Sequence, residues 1–349
     1  MLDIDVLRNM EKEEHIPKEY IIDVIKTTLI AAYKKTFGES NAVVKINMAK
    51  GLVKLYAEKL VVEKVKNNVL EIGLEEAKKF SEDAKVGDKV LIEIPVSSLS
   101  SSAIRLAKQV FKQRITEKKR EIAFQEFSGK VGDIISGKVT RRKSHGEIGV
   151  NIEPYDIEGI IPPEEAIPNE PMRRGKLVKA YIKEAKKTDR GPLVILSRAC
   201  PEFMIKLMRL EIPEIEQGIV EIKGAVREPG VRAKVAVATK DLRVDPVGAC
   251  IGAKGVRINS VSKEINRERI DVIRYSADPE LYIENALSPA RVDRVEIIEG
   301  TREANVYVNS KNYPTALGSN GINVMLASKL TGYKIHLIET SEEGDVNES

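Results

Sequence analysis

Two four-residue loops that begin and end in glycine lie 66 residues apart in matched surroundings. They are Gly252-Ala253-Lys254-Gly255 and Gly318-Ser319-Asn320-Gly321. Each separates a short helical pattern from a longer one, and a strand-like run follows. Glycine suits both ends because a tight helix-to-helix turn calls for positive φ and a side chain would block the approach of another backbone. The amides that open the following helix then face outward, where the helix dipole favours an anion such as phosphate. One such loop would mean little among 23 glycines in 349 residues. Two in the same context constrain how the C-terminal part of the chain can fold.

Length leaves room for about two to three domains, each with its own core. A hydrophobic fraction of 42% with 32% charged residues fits folded domains with a charge-rich surface and excludes a disordered chain. No apolar run approaches a membrane span, and Met1-Leu2-Asp3-Ile4-Asp5 lacks a basic-then-apolar signal, so a cytoplasmic protein is expected. Cys200 and Cys250 stand in no metal or redox spacing and read as free thiols. The net charge of +4 hides an asymmetry: residues 224–275 carry +5, whereas residues 276–349 carry −6. Positive charge therefore gathers around the first loop and is lost around the second.

The spacing of Ile21, Ile22, Ile25, Leu29, Ala32 and Tyr33 predicts an amphipathic helix over 18–36, stopped by Gly38. Runs at 43–46 and 52–56 predict a hairpin turning at Ala49-Lys50-Gly51, and 89–94 a further strand. From the serine cluster at 97–102 to Phe127 an apolar stripe through Ile104, Ala107, Val110, Phe111, Ile115, Ile122 and Phe124 predicts a long connecting helix. Residues 130–198 change texture: five short β-type runs, at 134–139, 147–152, 157–162, 177–182 and 193–197, are punctuated by Gly and Pro and predict a small closed barrel. Gly137-Lys138-Val139, Glu158-Gly159-Ile160-Ile161-Pro162 and Ile195-Leu196-Ser197-Arg198 resemble an S1-type OB-fold. Such barrels often place aromatic residues on their second and third strands. This stretch offers Arg141, Arg142, Lys143 and His145 instead, so phosphate tracking or a spacer role is at least as well supported as base stacking.

From Pro201 one order of elements occurs twice. The first copy has a helix at 203–210, strands at 219–222 and 234–238, a helix at 246–251, the loop, a helix through Val256, Ile258, Val261 and Ile265, and a strand at 270–273. The second has a helix at 279–287 capped by Asp278, strands at 292–298 and 304–308, a helix at 313–317, the loop, a helix at 322–330 stopped by Gly332, and a strand at 333–338. This α-β-β-α-α-β order is the prokaryotic form of the KH fold, whose glycine loop clamps a single-stranded nucleic-acid backbone. The reading is a multidomain α+β chain. A mixed α/β N-terminal domain with its connecting helix spans 1–127, the S1-type OB-fold barrel 128–198, the first KH domain 199–275, the second 276–340, and an acidic, disordered tail 341–349.

Several phrases resemble the NusA family of bacterial transcription elongation factors over essentially the full length. They include Ala107-Lys108-Gln109-Val110, Leu196-Ser197-Arg198 before Pro201-Glu202-Phe203, and Leu210-Glu211-Ile212-Pro213-Glu214-Ile215. Arg227-Glu228-Pro229-Gly230-Val231-Arg232, Asp245-Pro246-Val247-Gly248-Ala249-Cys250-Ile251-Gly252 and Leu326-Ala327-Ser328-Lys329-Leu330-Thr331-Gly332 complete the set. The resemblance implies docking on RNA polymerase core through residues 1–127, and binding of nascent single-stranded RNA by the barrel and KH pair. It further implies control of pausing, termination and antitermination alongside other elongation and antitermination factors. The chain departs from the family in carrying Ser319-Asn320 where a basic residue usually stands between the second pair of glycines, and Ser100-Ser101 where a Gly-Arg pair is usual.

The candidate RNA-binding residues are Gly252, Ala253, Lys254, Gly255 and Arg257 at the first loop, and Gly318, Ser319, Asn320 and Gly321 at the second. Arg227, Arg232 and Lys234 could brace phosphates or simply decorate a strand, and Arg141, Arg142, Lys143 and His145 are weaker candidates on the barrel. Loss of charge at the second loop predicts that it supplies register more than affinity. No catalytic residue, cofactor or metal is expected. His15, His145 and His336 have no ligand spacing, and Gly252-Ala253-Lys254-Gly255 lacks the Gly-Lys-Ser/Thr ending of a nucleotide P-loop. A phosphorolytic nuclease with KH and S1-type modules would need large catalytic domains for which no residues remain. A ribosome-associated KH protein would leave residues 1–127 unexplained. A monomer without membrane attachment is expected.

Overall fold

A computed structural model of the chain describes residues 16–47, 52–142, 145–153, 157–188 and 191–340, the side chain of Arg142 excepted. The expected turn at Ala49-Lys50-Gly51, Lys143 and the tail at 341–349 lie outside the described residues. Contacts divide the chain into two compact units: residues 1–126 with 153–157 and 186–192, and residues 127–152 with 158–185 and 193–349. Among the described residues no helix is long and apolar enough to cross a membrane.

In the first unit, helix α1 (Lys18–Phe37) buries Ile21, Val24, Ile25, Thr28, Ala32 and Tyr33, the stripe that the 3.6-residue period demands. It ends where Gly38 turns left-handed at φ 82° and returns its N–H to the Lys34 carbonyl at 2.8 Å. Strand β1 (Ala42–Asn47) pairs antiparallel with β2 (Leu52–Val62). The long β2 also takes β4 (Lys89–Ile94) antiparallel and the short β3 (Glu71–Gly73) parallel, followed by helix α2 (Leu74–Ala77). Ala32, Tyr33, Val44, Leu55, Ala57, Leu99 and Ala103 form its core. Ala103 opens the buried side of the connecting helix α3 (Ser101–Gly129), which continues through Ile115, Ala123 and Phe127.

The second unit opens with the barrel. Strands β5 (Ile134–Arg142), β6 (Ile148–Ile152), β7 (Ile157–Ile161), β8 (Leu177–Thr188) and β9 (Gly191–Ser197) close in the order β5-β6-β7-β9-β8, with β7 and β9 parallel. That is the strand order of an OB-type barrel.

Both repeats follow as expected. The first contains α4 (Pro201–Glu211), a short α5 (Pro213–Glu216), β10 (Val220–Glu228), β11 (Arg232–Thr239), α6 (Pro246–Ile251), α7 (Val256–Glu264) and β12 (Arg269–Arg274). The second contains α8 (Pro279–Ala286), β13 (Arg294–Ile298), β14 (Glu303–Asn309), α9 (Tyr313–Leu317), α10 (Ile322–Thr331) and β15 (Lys334–Thr340). In each sheet the middle strand pairs antiparallel with the strand before it and parallel with the last. The last strand runs through Glu339 and Thr340, which pair with Val308 and Asn309.

The two repeats share buried surface. Ala233, Val235 and Val237 point into the core made with Phe203, Leu207 and Val261. On the opposite face of β11, Ala236 packs with Tyr282, Ile283 and Leu287 of α8 and its C-terminal end. Strand alternation thus places both faces of β11 in a core, which explains its nearly continuous apolar run.

Candidate nucleic-acid interface

The two glycine loops have the same backbone within a few degrees. Gly252 and Gly318 sit at φ/ψ of 73°/173° and 72°/168°, and Gly255 and Gly321 at 76°/15° and 73°/10°. Between them Lys254 and Asn320 are both left-handed, at φ 54° and 53°. Asparagine adopts this region more readily than lysine, so the second loop loses a charge but gains an easier conformation. The central side chains Ala253, Lys254, Ser319 and Asn320 are all exposed. No side chain caps the N-terminus of α7 or α10; the first amides, of Val256 and Ile322, donate back to the Ala253 and Ser319 carbonyls inside the loops, and the positive end of each helix dipole lies at its loop.

The first glycine of each loop is required from within as well as from outside. A Cβ on Gly252 would stand 2.8 Å from Arg257 Cγ, and one on Gly318 would stand 2.7 Å from Asn323 Cβ and 2.9 Å from the Asn323 nitrogen. Arg257 and Asn323 each follow their first glycine by five residues, and they perform the same task. Arg257 Nη1 donates to the Ala249 carbonyl at 2.7 Å and to Glu214 Oε2 at 2.8 Å. Asn323 Nδ2 is shared among the carbonyls of Thr315, Ala316 and Leu287 at 3.2, 3.0 and 3.0 Å. Each side chain staples the helix after the loop to the helix before it. Sequence reasoning assigned Arg257 to phosphate; the structure engages its guanidinium in building the loop. The shared five-residue offset was the signal available.

The three strand cations nominated from sequence are enclosed. Arg227 is paired with Glu268 at 2.8 Å, both side chains fully buried, and donates to the Arg198 carbonyl at 2.6 Å. Lys234 is fully buried, 3.2 Å from Asp271 and 2.9 Å from the Ser288 carbonyl. Arg232 is nearly so, 2.6 Å from the same Asp271 carboxylate. These residues are corrected from phosphate contacts to internal ion pairs. A count of charge by segment cannot separate a cation that faces solvent from one matched inside a strand. The positive charge left outward near the first loop includes exposed Lys254 and Arg274, the latter held 2.7 Å from Asp245, the cap of α6.

Apolar side chains rim both loops at equivalent positions and went unrecognised in the sequence. Ile251 and Leu317 immediately precede the first glycines and are 37% and 38% exposed, and Val256 opens α7 at 67%. An apolar shelf beside a phosphate-facing loop suits the faces of unstacked bases. On the barrel, Arg141 is exposed and only loosely associated with Glu158 at 3.7 Å, and His145 is exposed. Tyr181, on β8, is partly buried against the core of the first repeat.

Three stretches match family models: residues 4–121 the NusA N-terminal domain, residues 198–275 the NusA-like first KH domain, and residues 279–345 the NusA-like second KH domain. A transcription termination/antitermination protein NusA from Halalkalibacterium halodurans is 39% identical over 340 residues, covering 97% of this chain and 88% of that one. Proteins of the same name from Bacillus subtilis and Thermus thermophilus are each 38% identical, covering 96% and 99% of this chain and 90% and 92% of theirs. With glycine loops of one geometry in two KH repeats, an OB-type barrel before them and relatives aligned over 96–99% of this chain, the chain belongs to the NusA family of transcription termination/antitermination proteins.

Proposed function

We propose that the chain is an RNA-binding regulator of transcription that docks on RNA polymerase core through residues 1–127 and captures nascent single-stranded RNA with its KH pair. The observation that carries this reading is the repetition, in two loops of different sequence, of one strained backbone that opens the next helix without a side-chain cap, beside an apolar shelf. Such a loop clamps a backbone without reading much sequence, so the grip on RNA is weak and tolerant. Tethering to the polymerase raises the local concentration of that grip at emerging RNA, where it biases hairpin formation and hence pausing, termination and antitermination. The barrel spaces the two ends and guides phosphate through Arg141 and its neighbours. The protein acts in the cytoplasm as a monomer, alongside other elongation factors and without catalytic chemistry of its own.

The test places aspartate in each loop of the full chain. Ala253→Asp with Lys254→Asp should weaken binding of an unstructured single-stranded RNA by about tenfold or more, through lost attraction and added repulsion. Ser319→Asp with Asn320→Asp should cost less, because the second loop has no cation to lose. Both variants should still be retained by RNA polymerase in a pull-down. Unchanged anisotropy titrations in a folded first-loop variant would remove that loop from the RNA path. A larger loss at the second loop would overturn the ranking.

A further inference from the structure

Lys234 shares its face of β11 with Arg232 and Ala236, and of the two cations it is the one that is fully buried. On that face Ala236 lies in the core of the second repeat, and Gly224 of β10 lets Leu330 approach so closely that an added Cβ would stand 3.1 Å from it. A lysine here is costly, since burial penalises its charge whereas a packed apolar side chain would carry no such cost. Its partners say what it does there. Asp271, already held by Arg232 at 2.6 Å and Arg269 at 3.2 Å, accepts from Nζ at 3.2 Å within the first repeat. The second acceptor, the Ser288 carbonyl at 2.9 Å, belongs to the second repeat, just beyond α8.

From Ser288 a short path of contacts reaches the second loop. The neighbouring Leu287 carbonyl accepts from Asn323 Nδ2 at 3.0 Å, and Asn323 lies directly under Gly318. From Asp271 a comparable path reaches the first loop. Strand β12 carries Arg274, whose Nη2 donates to Asp245 at 2.7 Å, and Asp245 caps α6, the helix that ends at Gly252. Lys234 sits where these paths meet. Small apolar surfaces alone tolerate sliding, whereas a buried ammonium that slides away from its carboxylate or its carbonyl is left without a partner, at a high cost.

We propose that Lys234 is a positioning residue that locks the second glycine loop at one distance and angle from the first, so that the protein sets the length of RNA able to engage both. This rests on the RNA-binding reading above. Loss of Lys234 leaves each loop able to bind while loosening the spacing between them.

The experiment uses the full chain and Lys234→Met, which keeps the methylene stem and leaves Asp271 its two arginines. Binding is measured to a series of unstructured RNA oligonucleotides, from about four nucleotides, enough for one loop, upward in single steps. In parallel, spin labels at K240C and S310C in a C200S background report the distance between repeats. The unsubstituted protein should gain affinity sharply at one length. Lys234→Met should bind the shortest RNA within about twofold, lose about tenfold on the longest as effective concentration falls, and show a broadened distance distribution. An unchanged length profile with an unchanged distance distribution overturns the proposal, as does equal loss at every length. Should Lys234→Met fail to fold, Lys234→Gln, one atom too short to reach both acceptors, gives the same reading. Absence of RNA binding by the unsubstituted protein would instead overturn the functional reading and leave the distance measurement to judge the lock.

Discussion

Gly252 and Gly318 occupy a region of φ/ψ space, near 73° and 170°, that side chains other than hydrogen almost never enter. Their surroundings make them unequal. An alanine Cβ at 252 meets the flexible middle of the Arg257 side chain, which can shift, whereas at 318 it meets the backbone and Cβ of fully buried Asn323, which cannot. Gly318→Ala should therefore destabilise by about 3 kcal/mol or more and Gly252→Ala by about 1–2 kcal/mol, on the scale of backbone strain plus overpacking. Urea unfolding of the two variants checks the order, and equal losses would refute the packing argument. Lys234 supplies a second expectation. Burial, with Arg232 and Arg269 adding to it and Asp271 opposing, holds its amine at about 8 against an ordinary 10.5. Below pH 8 both folded and unfolded chains carry the proton and the penalty is complete. Between pH 8 and 10.5 the folded protein has released it while the unfolded chain has not, so stability from this group rises with pH, by up to about 3 kcal/mol. The difference in unfolding free energy between the unsubstituted protein and Lys234→Met should move in favour of the former across that window. A flat difference would show that the ammonium is not penalised.

At the scale of elements, the periods of two and 3.6 residues are what made this chain legible. The α1 stripe, the five barrel strands and the double α-β-β-α-α-β order were all readable because apolar residues recur where one face must be buried. Short pieces escaped. Helix α5, one turn long, and the parallel pairing of the three-residue β3 carry too few residues for any period to register. The joint between the barrel and the first repeat was also invisible, since the residues that meet there, Ile134, Ile167 and Tyr181 with the core of the first repeat and Arg198 with its acceptors, are far apart in sequence. Arg198, 1% exposed, lies over the Phe203 ring and donates to Glu170 through Nε at 2.9 Å and Nη2 at 2.7 Å. It also reaches the Glu264 carbonyl at the end of α7 at 2.6 Å and the Lys179 carbonyl on β8. Arg198→Met would strand the Glu170 carboxylate, leaving it only Lys176 at 3.4 Å. We expect about 3–5 kcal/mol of destabilisation in denaturant titrations. Arg198→Lys should recover only part of it, because an ammonium cannot reproduce the planar fork. Full recovery by lysine would show that charge, not bidentate geometry, holds the joint.

Across the whole molecule, the amino-acid sequence determined the modules, their order and the position of the two loops, because helix and strand periods and glycine's freedom at positive φ are local properties. It also placed the excess of positive charge near the first loop. Only the tertiary structure decided which charges face outward. Arg227, Arg232 and Lys234 contribute to the same local count as Lys254, yet Glu268 and Asp271, 37 to 41 residues away in sequence, take them out of solvent. The equivalence of Arg257 and Asn323 as staples, unlike in charge and alike in geometry, likewise emerged only once their acceptors were in place. Burial and hydrogen-bond partners are non-local quantities, set by which segments the fold brings together, and they separate a surface that can hold RNA from a core that holds itself.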